Sequence, residues 1–166
     1  AKEAGCIVSF DPNLRPPLWK TLDDARAEIE YGLGKADILK ISDNEVEFLF
    51  GTTDYDKGAE LLREKYGIPL ICITLGKEGS RAYYKDMRVE VPGFVQEYTI
   101  ETTGAGDTFC ACTLNYVLEH GLNNLTEANL KELLTFANAG ASIITTRKGA
   151  LRVMPEQEEI LELLNK

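Results

Sequence analysis

The regular alternation of strand-like and helix-like segments is the feature that most constrains how this chain can fold. The strongest strand signal is the sequence PLICITL at residues 69–75, whose unbroken apolar run is typical of a strand covered on both faces. Segments with helical periodicity precede it and follow it along the chain, which favours βαβ units. The sequence therefore predicts an α/β fold of the three-layer Rossmann-like type, in which helices flank a mostly parallel sheet.

The remaining predicted elements complete this alternation. Further strands are expected at residues 6–10 and 37–40, and a hairpin at residues 81–85 and 88–91. Helices are expected at residues 21–35, 42–50, 56–66, 108–120 and 127–145. Pro155 is expected to open a last helix, because a missing N–H costs nothing at that position. No repeat, low-complexity tract or linker divides the chain, so we expect a single domain.

Charge and composition exclude several classes of function. The formal net charge of −9 and the scattered Lys and Arg residues do not suit a nucleic-acid surface. No apolar run approaches the roughly 20 residues that a membrane span needs, and no signal-peptide pattern opens the chain. The four cysteines show no CxxC spacing, so we expect reduced thiols and a cytoplasmic protein. A single histidine, His120, leaves little for a Ser-His-Asp triad or a histidine metal cluster.

The sequence GAGD at residues 104–107 is the first candidate for chemistry, because it directly precedes a predicted helix. Small residues let an anion approach the unpartnered N–H groups at a helix start, where the helix dipole is positive. An aspartate in the same turn, Asp107, could accept a proton from an attacking hydroxyl. The alternative is a flexible loop in which Asp107 only complements the dipole. Neither the P-loop pattern nor the dinucleotide fingerprint matches, since the third Gly of GxGxxG would fall on Phe109.

The longer segment ETTGAGDTF at residues 101–109 resembles the signature DTTGAGDxF of the ribokinase/PfkB family of carbohydrate kinases. The resemblance implies a ribokinase-like fold, with Asp107 as the catalytic base and Gly104, Ala105 and Gly106 as an anion hole for the transferred phosphoryl group. Glu101 replaces the usual leading Asp, in a region that holds a monovalent cation such as potassium in many members. ATP and Mg²⁺ are the cofactors that the family implies.

The segment SFDPNLRPPLW at residues 9–19 resembles the DxNxR segment of the fructokinase and 2-keto-3-deoxygluconate kinase branch of that family. It implies that Asp11, Asn13 and Arg15 bind substrate. Polar groups after a strand lie at the carboxyl edge of a sheet, where open α/β folds bind ligands, and the planar fork of Arg15 suits phosphate or sugar oxygens. Ordinary turn chemistry is the alternative for the Asp-Pro-Asn sequence.

The segment ISDNEVEFLFG at residues 41–51 resembles the NxxE segment of the family, with Ser42 in place of Asn and Glu45 as the glutamate. That glutamate acts on the Mg²⁺–nucleotide through water in the family. Ser42 and Glu45 also match a capping box, which requires no metal. Both roles can hold together, because Mg²⁺ usually keeps several waters.

Two further segments, ITLGKEGS at residues 73–80 and FANAGASIITTRKGALRVMP at residues 136–155, resemble the nucleotide side of the family. With the signature, they imply the following nucleotide-binding residues: Thr74, Gly76, Gly79, Thr103, Asn138, Ala139, Ser142 and Gly149. A plain β-turn is an equally good explanation for the two glycines of the first segment. Small residues on the helix of the second segment also suit close packing against a neighbouring helix.

All the matching motifs belong to the second half of the family pattern, so we expect residues 1–166 to be the C-terminal part of a kinase domain, without the N-terminal half and its lid. The expected reaction is transfer of a phosphoryl group from ATP to a sugar, most simply a ketohexose. Two alternatives remain, a non-catalytic nucleotide-binding half-domain and a 2-keto-3-deoxygluconate kinase-like enzyme. A bare sheet edge would also favour self-association through that edge.

Overall fold

The computed structural model describes all 166 residues. Strands and helices alternate along the chain in the order β1 (Ser9–Phe10), α1 (Leu22–Leu33), β2 (Ile38–Ser42), α2 (Asp43–Phe50), α3 (Tyr55–Tyr66), β3 (Leu70–Thr74), β4 (Ser80–Tyr84), β5 (Met87–Val91), α4 (Ala105–His120), α5 (Glu127–Ile144) and α6 (Gln157–Leu164). The strand order is β1-β2-β3-β4-β5, and the pairs β1–β2 and β2–β3 are parallel. The predicted α/β class is therefore confirmed.

The chain divides into two compact units. The first unit comprises Ala1–Thr74 and Tyr83–Asp86, and the second comprises Leu75–Ala82 and Met87–Lys166. Each unit has its own set of buried side chains and its own candidate functional residues, which are described separately below.

The core of the first unit is formed by the parallel strands and the apolar face of α1. In β3, the segment from Leu70 to Ile73 is fully buried, as the sequence PLICITL predicts for a strand covered on both faces. The buried residues of α1 are Ala25, Ile29 and Leu33. Leu22, at helical spacing from these residues, is half exposed, because it occupies the first turn of the helix.

The local sequence explains where α2 and α3 begin and end. Ser42 caps α2 in a capping box with Glu45, and Asp54 caps α3 by accepting the backbone N–H of Lys57. Both helices end at a glycine in the left-handed conformation, Gly51 and Gly67 respectively, as the sequence predicts.

The second unit is organised around α4 and α5. A Cβ added at Gly140 of α5 would lie 3.0 Å from the Sγ atom of Cys112 on α4, so the glycine lets the two helices approach closely. Burial raises the pKa of the Cys112 thiol to about 11, so this thiol stays protonated at neutral pH. The apolar face of α5 is fully buried at Leu130, Leu133 and Leu134.

Several predicted element boundaries were wrong by two residues or more, and three of them have a local explanation. Only Ser9 and Phe10 of the predicted strand 6–10 pair with β2, because the Asp37 and Ile38 N–H groups both donate to the Val8 carbonyl and end the ladder there. Helix α4 begins at Ala105 rather than residue 108. Helix α6 begins after Glu156, whose extended backbone and capping box leave Pro155 outside the helix.

Two further properties concern the whole chain. All four cysteines are free thiols. No helix combines the length and the apolar character that a membrane span needs.

Candidate active site

The first unit contains a polar cavity of about 290 Å³, called here the lysine pocket. It is lined by Asn13, Leu14, Arg15, Pro16, Lys40, Ser42, Asn44 and Glu45. Most of the residues that the sequence assigns to substrate and metal therefore lie around one cavity. They come from the segment after β1, from β2 and from the first turn of α2.

Lys40 is the member of this pocket that the sequence analysis missed. Its side chain is 7% exposed, and its Nζ atom lies 3.2 Å from both carboxylate oxygens of Asp11. Parallel pairing of Phe10 with Leu39 brings the residue after β1 next to the middle of β2, which creates this ion pair. The available signal was a lysine inside the otherwise apolar strand sequence ILKIS, because a buried ammonium requires a partner.

Glu45 is the most constrained carboxylate of the pocket. Its Oε1 atom accepts the backbone N–H of Leu14 at 2.6 Å, and its Oε2 atom accepts both the N–H and the hydroxyl of Ser42 at 2.8 Å. The capping-box prediction is therefore confirmed. A carboxylate can accept about four hydrogen bonds. Since three acceptor positions are filled, the remaining one fits a water molecule of a hydrated Mg²⁺ better than direct metal ligation.

Asn13, Arg15 and Thr74 complete the predicted residues of the first unit. Asn13 adopts a positive φ of 48°, which Asn tolerates better than most residues. The guanidinium of Arg15 is exposed and makes one contact, from Nη1 to the Leu14 carbonyl at 3.2 Å, so most of its donors face solvent. The hydroxyl of Thr74, at the end of β3, lies 3.5 Å from the Ile41 carbonyl oxygen.

In the second unit, the predicted anion-binding turn is the start of α4, called here the Gly104 turn (residues 104–107). Gly104 is the N-cap with φ 82°, and a Cβ at this position would lie 3.0 Å from the Ile144 side chain and 3.3 Å from that of Ala150. Ala105, Gly106 and Asp107 are the first three helical residues, and the Asp107 side chain is exposed.

The backbone amides of this turn are not equivalent. The Ala105 N–H donates to the Thr102 carbonyl at 3.2 Å, and the Thr108 N–H donates to the Gly104 carbonyl at 2.8 Å. The N–H groups of Gly106 and Asp107 have no acceptor within the chain. Two free amides and the positive end of a 16-residue helix therefore lie beside an exposed carboxylate.

Glu101 and Thr103 lie in the approach to this turn. Glu101 is half-buried, and its Oε1 atom accepts the backbone N–H of Gly149 at 2.6 Å. Thr103 is exposed. The contact with Gly149 was not predicted, and the cation role of Glu101 stays a prediction. A cation there would have the second carboxylate oxygen as a ligand, which fits the donor preference of hard cations.

Gly76 and Gly79 lie in a tight turn closed by the Leu75 N–H, which donates to the Gly79 carbonyl at 2.8 Å. A Cβ at Gly79 would lie 2.1 Å from the Val91 carbonyl oxygen, so packing within the chain already requires glycine at this position. Gly76 has φ 56° and open space beside its Cα. The turn interpretation is therefore sufficient for Gly79, whereas nucleotide contact at either glycine stays a prediction.

Asn138, Ala139 and Ser142 are buried on α5, and their polar groups have partners within the chain. The Asn138 amide accepts the Ser80 hydroxyl at 2.9 Å and donates to the carbonyls of Val91 and Pro92 at 3.2 Å. The Ser142 hydroxyl donates to the Ala139 carbonyl and accepts from Gln96. These contacts favour the packing explanation, and the predicted contact with the purine stays a prediction.

Comparison with known proteins identifies the family. The pattern of the pfkB family carbohydrate kinase matches residues 1–157. Fructokinase-2 from Solanum habrochaites is 40% identical over 164 residues, which cover 99% of this chain and 50% of that protein. The fructokinase from Vibrio cholerae O395, crystallised with fructose, ADP and calcium, is 32% identical with a TM-score of 0.85, over 98% of this chain and 52% of that one. The same values hold for its double mutant with fructose, ADP and potassium.

The chain spans about half the length of these relatives. The match nevertheless extends over nearly all of its residues and includes both the lysine pocket and the Gly104 turn. The chain belongs to the pfkB family of carbohydrate kinases.

Proposed function

We propose that this chain is the C-terminal part of a fructokinase-like enzyme that transfers a phosphoryl group from ATP to a sugar hydroxyl, most simply that of a ketohexose. The sequence similarity to plant and bacterial fructokinases supports the substrate class. The Vibrio cholerae enzyme binds fructose and ADP, which supports a sugar and an adenine nucleotide as the two ligands.

The observation that carries this proposal is the Gly104 turn, where an exposed carboxylate lies in the first turn of α4 beside two free amides. In the proposed reaction, Asp107 accepts the proton of the attacking hydroxyl. The free N–H groups of Gly106 and Asp107, with Gly104 shaping the turn, stabilise the charge on the transferred phosphoryl group. Ala105 contributes through its small side chain, because its own N–H is already bonded to Thr102.

The lysine pocket is proposed to bind the charged part of the ligands. The exposed guanidinium of Arg15 suits a phosphate or another anionic group, whereas the charge of Lys40 is balanced by Asp11. Asp11 and Asn13 belong to the same proposed substrate-binding segment, and Asp11 also pairs with Lys40. Bound Mg²⁺ would neutralise phosphate charge, and the free acceptor position of Glu45 would hold one of its waters.

The remaining assignments concern the second cation and the nucleotide. We assign a monovalent cation to the neighbourhood of Glu101, which the potassium-bound Vibrio cholerae structure supports for the family. The nucleotide side comprises the residues that the family resemblance implies: Thr74, Gly76, Gly79, Thr103, Asn138, Ala139, Ser142 and Gly149.

The test of the proposed function is Asp107→Asn in a protein that joins this chain to the N-terminal half that its relatives have. Sugar-dependent ADP release should fall about 100-fold or more, because a general base acts only in the transition state. The dissociation constant for ATP should stay within about threefold. Asp23→Asn is the matched control, since Asp23 is an exposed first-turn aspartate of α1. Near-normal turnover of the Asp107 variant would refute the assignment of the base.

The same assay separates the two alternative functions. A non-catalytic half-domain would bind ATP but release no ADP with any sugar, even when joined to the missing half. A 2-keto-3-deoxygluconate kinase-like enzyme, whose acid substrate the exposed Arg15 guanidinium would suit, would prefer the acid sugar to fructose. The 166-residue chain alone should bind ATP weakly and phosphorylate no sugar, because positioning supplies most of phosphoryl-transfer catalysis. Sugar-dependent ADP release by the isolated chain would contradict its description as an incomplete kinase.

A further inference from the structure

The approach to the Gly104 turn is joined to the segment that follows α5, here the 144–150 segment, at three places. The Thr145 carbonyl accepts the N–H of Ile100 at 2.8 Å and that of Glu101 at 3.3 Å. The Glu101 carboxylate accepts the Gly149 N–H at 2.6 Å. Gly104 then packs against side chains of the same segment. Only the second of these three contacts depends on a polar side chain.

We infer that Glu101 is a positioning residue that holds the 144–150 segment against the approach to the Gly104 turn by its hydrogen bond to Gly149, whether or not a cation is present. This bond joins residues 48 positions apart, with a distance of 2.6 Å between the Gly149 nitrogen and the Glu101 Oε1 atom. It gives Glu101 a role that depends on the reach of its side chain as an acceptor rather than on its charge.

The local backbone explains why the 144–150 segment requires such a contact. Gly149 has a φ of 119°, which side-chain-bearing residues rarely adopt, and Ala150 lies at φ −126° and ψ −99°, outside the usual regions. Within this segment, Arg147 is also held by hydrogen bonds, since it donates to the Val153 carbonyl at 3.0 Å and to Glu159. Without Glu101, the Gly149 N–H would lose its only acceptor in the chain, and the turn between these anchors would be free to rearrange.

The identity of the residue matters for this role. The family signature has Asp at this position, whereas this chain has Glu. One additional methylene places the carboxylate farther from its own backbone, and it is this carboxylate that contacts Gly149. Glu101→Asp therefore keeps the charge but shortens the reach, while Glu101→Gln keeps the reach and an acceptor oxygen but removes the charge.

The first experiment measures amide hydrogen exchange at Gly149 by NMR in the 166-residue chain. Exchange should accelerate about tenfold or more in Glu101→Ala and Glu101→Asp, and stay within about threefold of wild type in Glu101→Gln. Glu97→Gln is the matched control, because Glu97 is exposed in the same part of the chain. Unchanged exchange in Glu101→Ala and Glu101→Asp would overturn the inference. If Glu101→Ala fails to fold, the Asp and Gln variants decide whether Glu101 holds the 144–150 segment.

The second experiment rests on the proposed function and measures the dissociation constant for Mg²⁺–ADP by calorimetry, in potassium chloride and in tetramethylammonium chloride. Affinity should fall about tenfold in Glu101→Asp in both salts, whereas Glu101→Gln should keep the wild-type affinity in tetramethylammonium chloride, where no potassium is available. Equal affinity of wild type and Glu101→Asp in tetramethylammonium chloride would overturn the inference. If the wild-type chain binds no nucleotide, the proposed function fails, while the exchange experiment still decides the role of Glu101.

Discussion

The lysine pocket of the first unit and the Gly104 turn of the second unit are built by different means. In the pocket, charged side chains make the contacts: the Lys40 ammonium pairs with the Asp11 carboxylate, and the Glu45 carboxylate accepts the backbone N–H groups of Leu14 and Ser42. In the turn, the backbone is shaped by a glycine at φ 82° and by amide contacts, while the Asp107 carboxylate is exposed. In the pocket, the same atoms therefore carry the structural contacts and the proposed chemical roles, whereas in the turn these belong to different residues.

This difference decides how mutations should behave in the two regions. Removing the Lys40 ammonium from the lysine pocket takes the charge partner from a largely buried carboxylate, so stability should fall together with binding. Removing the exposed Asp107 carboxylate leaves no buried group without a partner, so stability should stay nearly constant. Activity should fall, because the proposed base is lost. In the Gly104 turn, by contrast, stability should depend on Gly104, which has no side chain. The predictions below follow this contrast from the largest expected change in stability to the smallest.

Lys40→Met should produce the largest loss of stability, about 3 kcal/mol, because it leaves the Asp11 carboxylate largely buried without its ammonium partner. The double variant Asp11→Asn, Lys40→Met should recover much of this loss, since no uncompensated charge remains. Denaturant unfolding of the 166-residue chain measures both values. Lys57→Met, at an exposed position of α3, is the control and should change stability by less than about 0.5 kcal/mol. A similar small effect at Lys40 would contradict the structural role of the ion pair.

Glu45→Ala should cost about 2 kcal/mol, because the N–H groups of Leu14 and Ser42 lose their acceptor, and Glu45→Gln should cost about half as much. Thermal melts of the chain measure this effect, with Glu47→Ala of the same helix as the exposed control. In the complete enzyme, Glu45→Gln should also shift the Mg²⁺ concentration that gives half-maximal activity. A lowered melting temperature with an unchanged Mg²⁺ titration would leave Glu45 with the capping role alone.

Glu45 and Lys40 illustrate how far the sequence could predict the lysine pocket. The capping box at Ser42 and Glu45 was predictable because it depends on a fixed spacing of three residues. The Leu14 contact to Glu45 was not, since it joins residues 31 positions apart through the tertiary fold. Lys40 was missed for the same reason: its partner, Asp11, becomes its neighbour only through the parallel pairing of β1 with β2.

The Gly104 turn was predicted from local composition, yet its hydrogen bonding was not. Glycine, a helix start and an aspartate are local features, so the sequence GAGD was sufficient to place the turn. The contact from Ala105 to Thr102 begins the helix three residues earlier than the periodicity indicates, and it removes one amide from the predicted anion hole. Boundaries of this kind depend on single hydrogen bonds, which a hydrophobic pattern does not encode.

Gly104→Ala should lower stability by about 2 kcal/mol, through the left-handed backbone and through contact with Ile144 and Ala150. Gly51→Ala is the matched control, because Gly51 is also left-handed, at φ 64°, but has open space around it. The control should lose about 1 kcal/mol from the backbone alone. Comparison of the two unfolding free energies isolates the contribution of packing. Equal losses at the two sites would mean that Ile144 and Ala150 move aside without cost.

The smallest expected effect comes from an exposed carboxylate with the same capping geometry as Glu45. Glu159 forms a capping box with Glu156 at the start of α6 and also pairs with Arg147. The hydrogen bond from Arg147, together with the backbone N–H of Glu156, holds the pKa of the Glu159 carboxyl below its ordinary value of 4.5. Because the folded pKa is the lower one, this stabilisation is fully present above the unfolded pKa and is lost as the pH falls through the folded value.

The difference in stability between wild type and Glu159→Gln should therefore be small at pH 7 and should shrink further below pH 4.5. Chemical unfolding at several pH values between neutrality and pH 3 measures this difference, and Glu162→Gln, at an exposed position of the same helix, is the control. High salt should reduce the difference at neutral pH, because both partners are partly exposed and ions screen them. A difference that stays constant with pH and salt would mean that Glu159 acts through packing rather than charge, unlike the ion pair of the lysine pocket.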